Sequence, residues 1–178
     1  HDALPIFMGS FIVSSIRRRN LLRQLERMSY RDQLTQFGNR YAVDWFVEHE
    51  WNGEQIGVVY CDITGLKKVN DEQGHEAGDR LIIRACECLA GVFKGYGLYR
   101  IGGDEFLVLC LGIEEKDLRE HVEKLRMDMK EHQVTMAVGM IWKEHGPKDI
   151  DLLLNESERL MYEDKDRYYK EHGLKRRR

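Results

Sequence analysis

Gly102-Gly103-Asp104-Glu105-Phe106 stands between two apolar runs, residues 96–101 and 106–111, and reads as the tip of a β-hairpin. Glycine tolerates positive φ and lets a backbone come close to a ligand, which a β-branched residue would prevent. Two acids follow at once. Neighbouring side chains on a strand point to opposite faces, but at a turn both carboxylates can swing toward one hard, oxygen-seeking cation such as Mg²⁺. Gly-Gly-Asp is also an ordinary hairpin turn, so the reading needs a second site.

That site is a second acidic strand end, Val58-Val59-Tyr60-Cys61-Asp62-Ile63, followed by Lys67, Asn70 and Asp71 on a short helical stretch. Gly74-His75-Glu76-Ala77-Gly78-Asp79 comes next, and Asp32-Gln33-Leu34-Thr35 precedes Asn39-Arg40 upstream. With these motifs in order and at the right spacing, the chain resembles the GGDEF family of diguanylate cyclases over about residues 29–172.

The 178 residues suit one medium domain with an extension, and 42% hydrophobic content agrees with a globular class. A net charge of −3 carries no basic footprint for a nucleic-acid polymer, although a nucleotide can still bind locally. Cys61, Cys86, Cys88 and Cys110 lie in apolar contexts without metal-ligand spacing, so we expect buried thiols and a reducing, cytoplasmic setting.

Residues 3–28 read as one helix with a coiled-coil stripe of Leu4, Phe7, Phe11, Ser14, Arg18, Leu21, Leu25 and Met28. The densest apolar run, residues 3–16, is shorter than a membrane span needs, although Arg17-Arg18-Arg19 would suit a positive-inside boundary. We read a signalling helix. The chain starts at His1 and not at Met, so we expect a piece of a longer protein whose upstream sensor domain, and any membrane contact, lie before it.

Further on, residues 41–51 read as an amphipathic helix presenting Tyr41, Trp45 and Phe46. Residues 56–62 form a buried strand, and residues 72–93 form one helix turned inward by Ala77, Leu81, Ile82, Ala85, Cys88 and Leu89. After the hairpin come a helix at 114–131, a strand at 134–142 and a helix at 149–171 with Leu152, Leu153, Leu160 and Met161 inward. Gly173 suits a helix terminus, and residues 173–178 form a basic tail. The pattern predicts an α/β (α+β) sandwich of helices around a mainly antiparallel sheet. The resemblance implies five strands of the nucleotidyl-cyclase and polymerase-palm type, with an extended amino-terminal helix.

The resemblance also implies a function: condensation of two GTP into cyclic di-GMP with loss of pyrophosphate, by a homodimer using two Mg²⁺ per site, or Mn²⁺. Asp62, Asp104, Glu105 and the carbonyl of Ile63 would hold the ions, with Asp104 also accepting the proton. Lys67 and Lys165 would reach the phosphates, Asn70 and Asp79 would read guanine, and His75 would line the pocket. The alternative is a catalytically silent GGDEF-like domain that binds GTP or scaffolds a partner.

Several positions depart from the family pattern. Thr64 stands where many relatives carry a second acid, and Tyr169 where they often carry arginine. Gln36 replaces a glycine, a cost of about 1 kcal/mol if φ is positive there, which Gly38 would offset. Phe93 and Tyr96 occupy the places of an inhibitory Arg-x-x-Asp site, so we expect no tight product inhibition through it.

Overall fold

The computed structural model describes residues 30–147 and 149–173. β1 (Ile56–Ile63) is buried along its whole length, as the central strand of a sheet covered on both faces must be. It pairs antiparallel with β3 (Glu105–Leu111) on one side and with β4 (Met136–Lys143) on the other. β3 in turn pairs antiparallel with β2 (Gly97–Arg100), giving the order β2-β3-β1-β4. Four strands stand among the described residues where the family resemblance implied five, and every pairing between them is antiparallel.

The period-two alternation of strands sorts the core into two layers. Val59, Cys61 and Ile63 of β1, with Phe106, Val108 and Cys110 of β3, join the apolar stripes of α3 (His75–Val92) and α4 (Glu115–Glu131). Val58 and Tyr60, with Leu107 and Leu109, face the other way, toward α1 (Arg40–His49) and α5 (Asp151–Glu171). This parity puts Asp62 and Glu105 on the α5 face. All four cysteines are buried and free, and burial pushes the thiols of Cys61, Cys86 and Cys110 up to about 12, which keeps them unreactive.

Some sequence expectations need correction. The short helical stretch expected around residues 67–71 is α2 (Leu66–Gln73), and the helix expected over residues 72–93 starts later. α2 runs on to Gln73 and ends at Gly74, whose φ of 84° breaks the spiral before α3 begins at His75. On α1 the buried residues are Val43 and Phe46, while Trp45 is exposed and stacks on His49. On α5, Leu152 faces solvent and the inward residues are Leu153, Leu154, Ser157 and Met161. In both helices the apolar stripe is set by the angle at which the helix meets the sheet, and an adjacent apolar residue is left outside it.

Gly173, with φ of 62°, closes α5 as expected. The amino-terminal helix expected over residues 1–28 and the basic tail from residue 174 onward lie outside the described residues. Among the described residues no helix is long and apolar enough to cross a membrane.

Candidate active site

The register of β1 and β3 sets Asp62 directly opposite Glu105. Opposed residues on one face of an antiparallel pair stand within about 5 Å at Cβ, where like charges repel. Asp104 is tied in by its backbone, since its carbonyl accepts the N–H of Ile63 at 2.9 Å. Asp62 is 4% exposed. Burial first, and then the charges of Asp104, Asp62 and Glu158, hold the Glu105 carboxyl above the usual carboxylate range, with Lys165 offsetting part of the rise.

Lys165 reaches in from α5 and donates from Nζ to Asp62 Oδ1 at 2.6 Å. Both side chains of this pair are largely buried, at 14% and 6% exposed. A buried carboxylate of this kind needs a paired cation, and in this state the lysine is one. The acidic group is therefore a set of hard oxygen donors with more negative charge than its neighbouring ammonium balances. Among the described residues no group of three or more His, Cys, Asp or Glu side chains is arranged to hold a metal ion as it stands. The donor chemistry and the unbalanced charge still suit a divalent ion of the Mg²⁺ class, with Asp62, Asp104 and Glu105 as donors.

The signature turn is held from behind. Arg100 donates from Nη2 to the carbonyl of Gly103 at 2.7 Å and from Nη1 to Asp32 Oδ1 at 3.1 Å. Asp32 Oδ1 also accepts from the amide and hydroxyl of Thr35. Burial works to raise the Asp32 carboxyl, but the hydrogen bonds from Thr35 and Arg100 outweigh it and hold the group below its usual range. Gln36 in the same loop has φ of 61°, so the strain expected there is real. Gly38 does not relieve it through a positive φ. Its missing side chain instead makes room for the ring of Tyr99, beside which it forms a parallel bridge.

The second cluster lies on the α2–α3 hairpin. Asn70 lays its amide against Gly78, where a Cβ would overlap Asn70 Oδ1. Asp79, the next residue, is exposed, as is His75 at the start of α3. Lys67 is exposed on the first turn of α2, whereas Lys68 is directed to Glu72 in an i, i+4 pair at 3.9 Å. The structure thus joins Asp62, Asp104, Glu105 and Lys165 in one group and sets Asn70 against Gly78, which precedes Asp79 on α3, in another.

Glu158 and Tyr162 were not singled out from the sequence. Both carry charge interactions with Glu105, and burial with Glu158, Glu105 and Asp62 raises the Tyr162 phenol. Their spacing of seven and three residues before Lys165 places them on its helix face, a signal the sequence does hold. The Thr64 hydroxyl is shielded and finds no partner among the described residues, so threonine does not replace the acid of relatives. Tyr169 packs edge-on to Tyr168 and supplies no cation. Phe93 is fully buried, and Phe93 and Tyr96 both pack on the ring of His121.

The family model described as "Diguanylate cyclase, GGDEF domain" matches residues 29–170. Among curated proteins, the bifunctional diguanylate cyclase/cyclic di-GMP phosphodiesterase MucR of Pseudomonas aeruginosa is 29% identical over 172 residues, covering 88% of this chain and 25% of the relative. Diguanylate cyclase DgcP of Escherichia coli is 27% identical over 186 residues, covering 92% of this chain and 54% of the relative. The chain thus spans between a quarter and about half of the length of these relatives. A solved structure of the coiled coil and GGDEF domain of DgcB from Caulobacter crescentus, in complex with c-di-GMP, superposes with a TM-score of 0.69 at 20% identity and covers 97% of each chain. At that identity the likeness speaks for the fold.

Proposed function

The chain belongs to the diguanylate cyclase GGDEF-domain family, and from that premise we propose that it condenses two GTP molecules into cyclic di-GMP as a homodimer, each subunit holding one GTP. The observation that carries the proposal is the buried Asp62 opposed to Glu105 across two strands, an arrangement that costs stability and calls for a cationic ligand. Asp62, Asp104, Glu105 and the Ile63 carbonyl would hold Mg²⁺. When bound, the metal neutralises triphosphate charge and acidifies the attacking hydroxyl.

The residues of the chain do the rest. Asp104 takes the proton of the 3′-hydroxyl, whose oxygen forms a bond to the α-phosphorus of the facing GTP. The bond to the bridging oxygen breaks, and pyrophosphate leaves in line. Lys67 and Lys165 stabilise the charge that gathers on the phosphate oxygens. Lys165 must exchange Asp62 for phosphate when nucleotide and metal arrive, which keeps Asp62 paired in both states. Asn70 and Asp79 meet the N1–H, N2–H₂ and O6 pattern of guanine, with His75 beside them.

Incubation with GTP and Mg²⁺, following pyrophosphate and the cyclic product together, tests the reading. We expect both products from GTP, and neither from ATP nor in the presence of a chelator. Tight GTP binding with no pyrophosphate released would instead identify a silent GTP-binding domain.

A further inference from the structure

α5 crosses the sheet at Gly139 of β4. There is no room for a side chain at that point, because a Cβ would run into the backbone of α5 at Ser157 and Met161. Met161 is also the last buried residue of the helix. Fully buried packing of α5 therefore ends at residue 161, and the next turn, which carries Lys165, keeps half-buried Tyr162 on the core and takes a further, polar anchor.

Asp164 supplies that anchor. Among the described residues β4 is an edge strand, with β1 on one side and no strand on the other. An edge strand leaves outward N–H groups unpaired, and Asp164 Oδ2 accepts the N–H of Val138 at 2.9 Å. Arg126, reaching over from α4, places both terminal nitrogens 3.4 Å from the same carboxylate. Arg167 adds a third contact at 3.4 Å from within α5. The Asp164 side chain is 14% exposed.

The register makes the consequence local. Val138 pairs with Cys61 and Ala137 with Asp62, so the Val138 amide and the Asp62 carboxylate lie one residue apart on neighbouring strands. Consecutive helix residues project about 100° apart. Asp164 therefore grips the outer side of β4 while Lys165 reaches the inner side, to Asp62. We propose that Asp164, backed by Arg126, is a positioning residue that sets the rotation of the last turns of α5 and so delivers the Lys165 ammonium to Asp62 and the phosphate site. This rests on the reading of Lys165 as a phosphate-binding group.

The test is a mutant cycle on the full chain, with thermal unfolding followed for every variant. Asp164→Ala should lower kcat/KM for GTP by about tenfold, the scale of a coupling between adjacent groups, and lower the melting temperature by several degrees, because the Val138 amide and Arg126 lose their partner. Asp164→Asn keeps an oxygen for the Val138 amide and should recover most of the loss. In a Lys165→Gln background, Asp164→Ala should cost nothing further. In the protein without nucleotide, acylation at Lys165, read by mass spectrometry, should rise severalfold in Asp164→Ala.

An Asp164→Ala loss that is equal with and without the Lys165→Gln substitution, or unchanged Lys165 labelling, would overturn the positioning role and leave the assigned reaction intact. Full GTP turnover in Lys165→Gln would remove the phosphate role of Lys165, and the proposal with it. Should Asp164→Ala not fold, Arg126→Met takes its place. That variant keeps the Val138 bond and should show a smaller loss that likewise vanishes in the Lys165→Gln background; a loss that persists there overturns the proposal.

Discussion

Gly78 shows how much can depend on one hydrogen atom. A methyl at that position would overlap the Asn70 amide oxygen. Gly78→Ala should therefore weaken GTP binding by about 1–3 kcal/mol, the cost of displacing a hydrogen-bonding group, while helix content stays unchanged. Titration with a non-hydrolysable GTP analogue reads this directly, and unchanged affinity would free Asn70 from base recognition.

Asp32 makes a different argument at the same scale. Its carboxyl is held below the usual range in the folded state, so its contribution is present at neutral pH and is lost as pH falls through the depressed value. Asp32→Asn should cost about 1 kcal/mol at neutral pH. The gap from wild type should close on acidification through and below the ordinary carboxylate range. Denaturant unfolding as a function of pH checks this, and a gap that widened with acid would contradict it.

At the scale of elements, the crossing of α5 over β4 at Gly139 leaves no room for a side chain. Gly139→Ala would meet helix backbone and not a flexible side-chain end, so we expect a loss beyond about 3 kcal/mol, at the upper end of overpacking effects. A denaturant midpoint near wild type would show that α5 can shift on the sheet.

The sequence revealed this scale unevenly. The hairpin, β1 and the inward stripe of α3 were legible because alternation and helical period have one solution there. The break at Gly74 was hidden by a run that is helical on both sides. The faces of α1 and α5 were misjudged because Trp45 and Leu152 each adjoin the true stripe, and only the packing angle decides between neighbours. Asp62, Glu105 and Lys165 were named from motif resemblance, and their meeting was legible in outline. Asp164 and Arg126 were not, since their partners lie 26 and 38 residues away in the chain and include a backbone amide.

For the whole molecule, the proposed reaction needs two copies, because one site holds half of the product. Residues 1–29 lie outside the described structure, and their sequence stripe is the pairing device we expect. A chain lacking residues 1–28 should lose far more activity at low protein concentration than at high, where collision replaces the tether. Specific activity independent of concentration after the deletion would contradict this.

The fold also spends stability on its site: Asp62 and Glu105 oppose like charges across two strands, and burial together with these charges raises the Glu105 carboxyl. A raised carboxyl takes up a proton on folding, so the folded state loses stability as pH rises from the ordinary carboxylate range through the raised value. Glu105→Gln removes the charge and keeps the shape. The decisive measurement pairs the melting temperature of this variant without metal with its rate of cyclic product formation. We predict a melting temperature a few degrees above wild type at neutral pH, a gain that fades in acid, and a rate lowered by at least about a hundredfold. A variant that is less stable, or that forms cyclic product at the wild-type rate, would contradict the claim that this pair of acids exists for the reaction and not for the fold.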